Sequence, residues 1–210
     1  ADWHALVGAA GDFMAAVAPD MPGFGAADKP ENFNYTIEGY AQHLHALIEH
    51  LKLQRVHLVL HDFGGPWGLS YAATHPQKVA SVTLINTGVL QGYRWHIMGR
   101  LWRTPWLGEL MMATTSRFGF AQVLKRGNPR GLPGEAINRM YRDFDAGTRR
   151  AVLRLYRASG DVDGYSAQVQ RALLPLISHA IGNSFAPSVL APSETTGTLD
   201  GGRMLADHSY

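Results

Sequence analysis

Between Thr36 and Leu51, residues Ile37, Tyr40, Ala41, Leu44, Leu47, Ile48 and Leu51 recur at helical spacing, one apolar stripe along a mostly polar segment. Thr36 suits the N-cap of this helix, Glu38 lies in its first turn where the helix dipole favours an anion, and Lys52 closes it. Two short runs rich in branched residues, Val56–Leu60 (VHLVL) and Val79–Ile85 (VASVTLI), predict strands. Between them, His61-Asp62-Phe63-Gly64-Gly65 breaks the first run sharply. Pro66 fits a helix start because its missing N–H would be unpaired there, and His75-Pro76 stops a helix running from Trp67 to about Thr74. Upstream, Phe13–Ala18 (FMAAVA) reads as a further buried strand leading into the Gly- and Pro-rich loop Met21–Pro30. Strands alternating with helices across short loops predict an α/β fold with a parallel sheet covered by helices.

After Gly88 the texture changes. From about Tyr93 to Leu174 no strand pattern is present, only helical stretches punctuated by Pro105, Pro129, Pro133 and Gly147. Met98, Leu101, Trp102, Trp106, Leu110, Met111, Phe118 and Phe120 make this region apolar on its inner faces, as in an all-helical insertion after a sheet strand. From Ser178 onward, Gly, Ser, Thr and Pro without periodicity predict a loose tail. The expected division is therefore 1–89 as a partial α/β core, 90–177 as helical insertion and 178–210 as tail.

Composition changes this picture little. With 46% hydrophobic and 17% charged residues the chain is globular rather than disordered, and 210 residues suffice for one domain with a core. Twelve arginines lie between Arg94 and Arg157, but they are scattered and not interleaved with aromatics on one element, which argues for solvated helix faces and against nucleic acid as a partner. Without cysteine, disulfides, thiolate metal sites and a Cys nucleophile are excluded. No apolar run reaches 18 residues, so no membrane-spanning helix is expected, and a cytoplasmic location is the expectation. His43, His45 and His50 lie on or near the polar side of the first helix without an i, i+4 pair, and His57 and His61 flank a strand; neither a metal site nor a cofactor is expected.

The chemistry concentrates at Asp62. A nucleophile at a strand-to-helix turn sits on strained backbone, and the residue two positions on must be small so that the helix can pass close to the strand. Gly64 meets that demand and Gly65 gives further room. Such a turn would lift the Asp62 carboxylate above the sheet edge and aim the Phe63 N–H at the same spot, with the positive end of the following helix behind it. The pentapeptide alone also allows an N-cap role for Asp62, a phosphate-binding turn or a plain tight turn. The phosphate reading lacks both the G-x-G-x-x-G and the Lys-Ser/Thr patterns.

Ala18-Pro19-Asp20-Met21-Pro22-Gly23-Phe24-Gly25, then Asp28-Lys29-Pro30, then the helix, then His61-Asp62-Phe63-Gly64-Gly65, resembles the α/β-hydrolase superfamily over roughly Trp3 to Val89. More narrowly, it is similar to the branch holding epoxide hydrolases and haloalkane dehalogenases. The resemblance implies a partial α/β-hydrolase fold in which 90–177 is the cap, and a small hydrophobic electrophile as substrate. It implies that Asp62 attacks a carbon bearing a leaving group to form an alkyl-enzyme ester, which a His-activated water then hydrolyses, with an acid orienting that His. Cap tyrosines, here Tyr141, Tyr156 or Tyr165, would protonate an epoxide oxygen.

Several parts of the pattern are not met. The oxyanion His-Gly pair would lie upstream of Trp3, leaving Phe63 as one donor of two. The catalytic His would follow a late strand, whereas His179 stands in a helical context and His208 in the polar tail. Where some dehalogenases carry the acid, this chain has Asn86. Phe63 replaces the Trp whose indole N–H helps hold halide in dehalogenases, which argues against that reaction. The expectation is that N- and C-terminal parts of the fold lie outside this chain. Its alternatives are an inactive, truncated relative or an esterase or lactone hydrolase on the same fold. An exposed edge of a parallel sheet would also make the chain prone to self-association.

Overall fold

A computed structural model describes residues 3–88, 93–128, 131–160, 165–167, 169–171 and 173. The chain packs as two compact units, one drawn from 1–33 with 117–152 and the other from 34–116 with 153–210.

The first unit holds α1 (His4–Gly11), α6 (Arg117–Gly127), α7 (Gly134–Asp143) and the opening turns of α8 (Ala146–Ala158). Its loop is ordered by the charged residues of the motif. The Asp20 carboxylate accepts the Ala26 N–H at 2.9 Å, and Lys29 Nζ donates to the carbonyls of Gly25 at 2.9 Å and Ala27 at 3.1 Å. Gly25 takes a left-handed φ of 54°, and any Cβ there would lie 2.3 Å from the Asp20 carboxyl carbon, so only glycine serves. Lys29 also faces Asp145 at 3.8 Å, and the Asp145 carboxylate accepts the Thr148 N–H at 2.7 Å at the start of α8. Phe120 packs its ring against Tyr141 and Phe144.

The strand expected at Phe13–Ala18 does not form. The chain leaves α1 at Gly11 and runs without ladder bonds, with Phe13 75% and Val17 61% exposed. An apolar run becomes a strand only where a neighbour takes up its N–H and C=O groups, and among the described residues this segment has none.

The second unit contains the sheet. In α2 (Ile37–His50) the Thr36 hydroxyl accepts the Gly39 N–H at 3.0 Å, the cap that the sequence predicts, and Asn34 Oδ1 in turn accepts from Thr36. Ile37, Tyr40, Ala41 and Ile48 of the apolar stripe are buried, while Leu51 is exposed. His45 departs from the polar-side expectation: its ring stacks on His75 at 4.2 Å. Strands β1 (Val56–His61) and β2 (Val79–Ile85) pair in parallel, joined by the crossover helix α3 (Gly64–Thr74), in the register Leu58↔Val82, Leu60↔Leu84 and His61↔Ile85. Leu58 and Leu60 pack with Ala41, Ile48, Leu69, Tyr71 and Ala72, and Val169 and Leu173 close the same core. The opposite sheet face carries His57, Val59, Thr83 and Ile85, all exposed.

Helix α3 begins three residues before the expected Trp67, with Phe63 as N-cap and Pro66 at the third helical position. The third N–H of a helix also lacks an internal partner, so proline is as harmless there as at the first. Beyond β2, every regular element among the described residues up to Ala158 is helical: α4 (Ile97–Arg103), α5 (Leu107–Thr114), then α6 to α8. No helix among the described residues is long and apolar enough to cross a membrane. His179, His208 and the whole of the expected tail, 178–210, lie outside the described residues.

Candidate active site

The turn between β1 and α3 is built around the backbone of Asp62. Its φ is 48°, a left-handed conformation that costs an ordinary residue about 1–2 kcal/mol. Two donors hold it there: the Asp62 carbonyl accepts the Gly65 N–H at 2.9 Å and the Thr87 hydroxyl at 2.7 Å. Both lone pairs of that oxygen are thus engaged, one from α3 and one from the segment after β2.

The small-residue requirement falls one position later than the sequence suggests. A Cβ on Gly64 would meet nothing within 4 Å, whereas one on Gly65 would lie 2.0 Å from Thr87 Oγ1 and one on Gly68 2.4 Å from Leu60 Cδ2. Gly65 lets the helix reach Thr87, and Gly68 lets it settle on β1. The N-cap reading of Asp62 fails, since Phe63 occupies that position and no side chain caps α3. Among the described residues no backbone group accepts the Phe63 N–H, which leaves it at the positive end of the helix beside Asp62.

Around Phe63 stands an aromatic wall. Its ring meets Trp67 at 6.1 Å, Trp95 at 6.2 Å and Tyr156 at 5.2 Å, the last edge-on. Trp95 touches Tyr93 at 5.3 Å and Tyr156 at 5.2 Å, and Trp102 meets Tyr156 at 4.9 Å. Burial first, then the Asp62 carboxylate and Tyr93, hold the Tyr156 phenol well above its ordinary range, so it stays a proton carrier. Tyr93 is raised by the same two causes, burial and Asp62. Partial desolvation lowers His96 against the opposing pull of Asp62, favouring the neutral ring. Three groups thus register the charge on Asp62 through space, of which the sequence singled out only Tyr156.

The other two tyrosines have their own partners. Tyr141 packs on Phe120 in the first unit. Tyr165 donates its hydroxyl to the Pro66 carbonyl and packs against the core of the second unit. Asn86 follows β2 with a φ of 47°, a conformation Asn tolerates better than most, and delivers Thr87 to the Asp62 carbonyl. Sequence reasoning missed Thr87, Tyr93, Trp95 and His96. Only its being a polar residue two positions after the run Val79–Ile85 could have hinted at Thr87.

A parallel sheet, a crossover helix and an acid on a strained strand-to-helix turn define a hydrolase-type core. The alpha/beta hydrolase fold family matches residues 14–125, more than half of the chain, and the protein belongs to that family. It is 31% identical over 153 residues to a cis-3-alkyl-4-alkyloxetan-2-one decarboxylase from Xanthomonas campestris, covering 66% of this chain and 49% of that enzyme. It is 36% identical over 76 residues to haloalkane dehalogenase 2 from Mycobacterium tuberculosis, covering 36% of this chain and 27% of the relative. Among solved structures, Cfl2 from Burkholderia cenocepacia superposes with a TM-score of 0.69 at 26% identity, over 81% of this chain and 62% of that one. The chain spans about half the length, or less, of these curated relatives.

Proposed function

We propose that the protein opens small, strained, hydrophobic ring electrophiles, epoxides first among them, through an ester on Asp62. The observation that carries this reading is Tyr156, a neutral, half-buried phenol that feels the Asp62 charge and shares one aromatic wall with Phe63. One Asp62 oxygen attacks the ring carbon, the carbon–oxygen bond breaks, and its electron pair goes to the ring oxygen, which takes the Tyr156 proton. Ester formation removes the negative charge of Asp62. The Asp62 share of what keeps Tyr156 protonated, second to desolvation, therefore weakens at the moment its proton is needed. Hydrolysis of the ester needs a base, for which the resemblance offers His179 and His208, both outside the described residues. A halide leaving group would need no proton but would need N–H donors, and the Phe63 side chain provides none.

Likeness to an oxetan-2-one decarboxylase favours a second substrate, a four-membered lactone. Attack at its alkyl carbon releases a carboxylate, which needs no proton donor, whereas attack at its acyl carbon gives an anhydride on Asp62. Turnover of a styrene-oxide-type epoxide, a dialkyl oxetan-2-one and a nitrophenyl ester, each with Asp62→Asn alongside, separates the readings. The proposal expects epoxide opening that Asp62→Asn abolishes. Ester cleavage indifferent to Asp62→Asn, with no ring opening, would refute it.

A further inference from the structure

We infer that His96 is a positioning residue for Tyr156: it donates its Nε2–H to the phenolic oxygen and so aims the phenol's one proton away from itself, free for a substrate bound at Asp62. This inference rests on the ring-opening reading above and names the group that makes Tyr156 an effective acid.

The tautomer follows from the backbone. His96 is the N-cap of α4, and its Nδ1 accepts the Gly99 N–H at 3.1 Å. A nitrogen that accepts carries no proton, so the single ring hydrogen of a neutral imidazole sits on Nε2. Nε2 stands 3.5 Å from Tyr156 Oη, and with Nε2 as donor the phenol can only accept there. Such contacts are commonly long before substrate binds and shorten as charge develops on the acceptor. Partial desolvation lowers the His96 pKa against the pull of Asp62, which favours the neutral ring that the Gly99 contact requires.

The rest of α4 holds the same residue. Arg103 Nη1 donates to the Tyr156 carbonyl at 2.7 Å and the Ser159 carbonyl at 2.9 Å, fixing the end of α8 by its backbone. A Cβ on Gly99 would lie 3.1 Å from Tyr156 Cε1 and 2.9 Å from Trp95 Cε3, so glycine at that position lets the α4 backbone close on the Tyr156 ring. Backbone, ring edge and hydroxyl of Tyr156 are thus each met from α4 or its N-cap. A donor to Oη also stabilises the phenolate left after proton transfer, an effect that grows in the transition state.

His96→Asn separates capping from positioning, because asparagine is a good N-cap but is too short to span the contact to Tyr156. The expected results are a melting temperature close to that of the parent chain and an Asp62 labelling rate, with a styrene-oxide-type epoxide, lowered about tenfold. The double variant His96→Asn, Tyr156→Phe should be no slower than Tyr156→Phe alone, because the two groups act through one proton. Nitrogen NMR of the imidazole gives an independent readout: Nε2–H protonation, with the Nε2 resonance moving in Tyr156→Phe. Unchanged labelling in His96→Asn, multiplicative losses in the double variant, or an Nδ1–H tautomer would each overturn the inference. Failure of the parent chain to label at all would count against the ring-opening reading, and the imidazole spectrum would still decide the contact.

Discussion

At single residues, the Asp62 turn depends on a few atoms it cannot spare. Gly65→Ala places a methyl 2.0 Å from Thr87 Oγ1, and Thr87 cannot yield without breaking its bond to the Asp62 carbonyl. A loss of about 1–3 kcal/mol is expected in urea unfolding, whereas Gly64→Ala, with open space around its Cβ, should cost nothing measurable. Equal costs for the two would show that the tight approach has been misplaced. Tyr156→Phe should slow epoxide opening about a hundredfold while leaving the opening of an oxetan-2-one at its alkyl carbon near the parent rate. An equal loss on both substrates in single-turnover assays would deny Tyr156 its role as acid. The sequence made Asp62 legible because strand, acid and paired glycines are local. Tyr156 could be named only as one of three aromatics on helices, since its place beside Phe63 depends on packing across more than ninety residues. Tyr93 and His96 were out of reach for the same reason.

Among the elements, β1, β2 and the capped α2 were legible because period-two runs and a Thr-capped apolar stripe have one economical solution. The run at 13–18 misled because local apolarity says nothing about whether a neighbouring strand exists to receive it. The helices after β2 were readable as helices but not in their partners. One such partnership is Arg157 of α8 with Glu109 of α5, a bidentate pair at 2.6 and 2.8 Å. Arg157 holds the Glu109 carboxyl at about 2, below its usual 4.5. Because the folded value is the depressed one, the stability this pair contributes is present above about 4.5 and is lost as pH falls toward 2. Glu109→Gln should therefore flatten the stability profile between those two values, as followed by thermal melts at low salt. A parallel profile in the variant would mean the pair contributes nothing measurable, as exposed pairs often do.

For the whole molecule, the sheet sets the main constraint. Among the described residues it has two strands, and its outer face leaves Val59 41% and Ile85 42% exposed. Parallel strands are ordinarily covered on both faces and flanked by neighbours, so open edges and an apolar outer face are invitations to associate. Light scattering on the isolated chain should report dimers or larger species that grow with concentration. A monodisperse monomer with a cooperative melt would contradict that expectation.

Covalent capture reads out the Asp62 nucleophile itself: intact mass of the chain after exposure to a styrene-oxide-type epoxide, beside Asp62→Asn. One added substrate mass, located at Asp62 and absent from the variant, is expected. A folded parent chain that neither gains mass nor consumes the epoxide, or a variant that gains the same mass, would contradict Asp62 as the nucleophile.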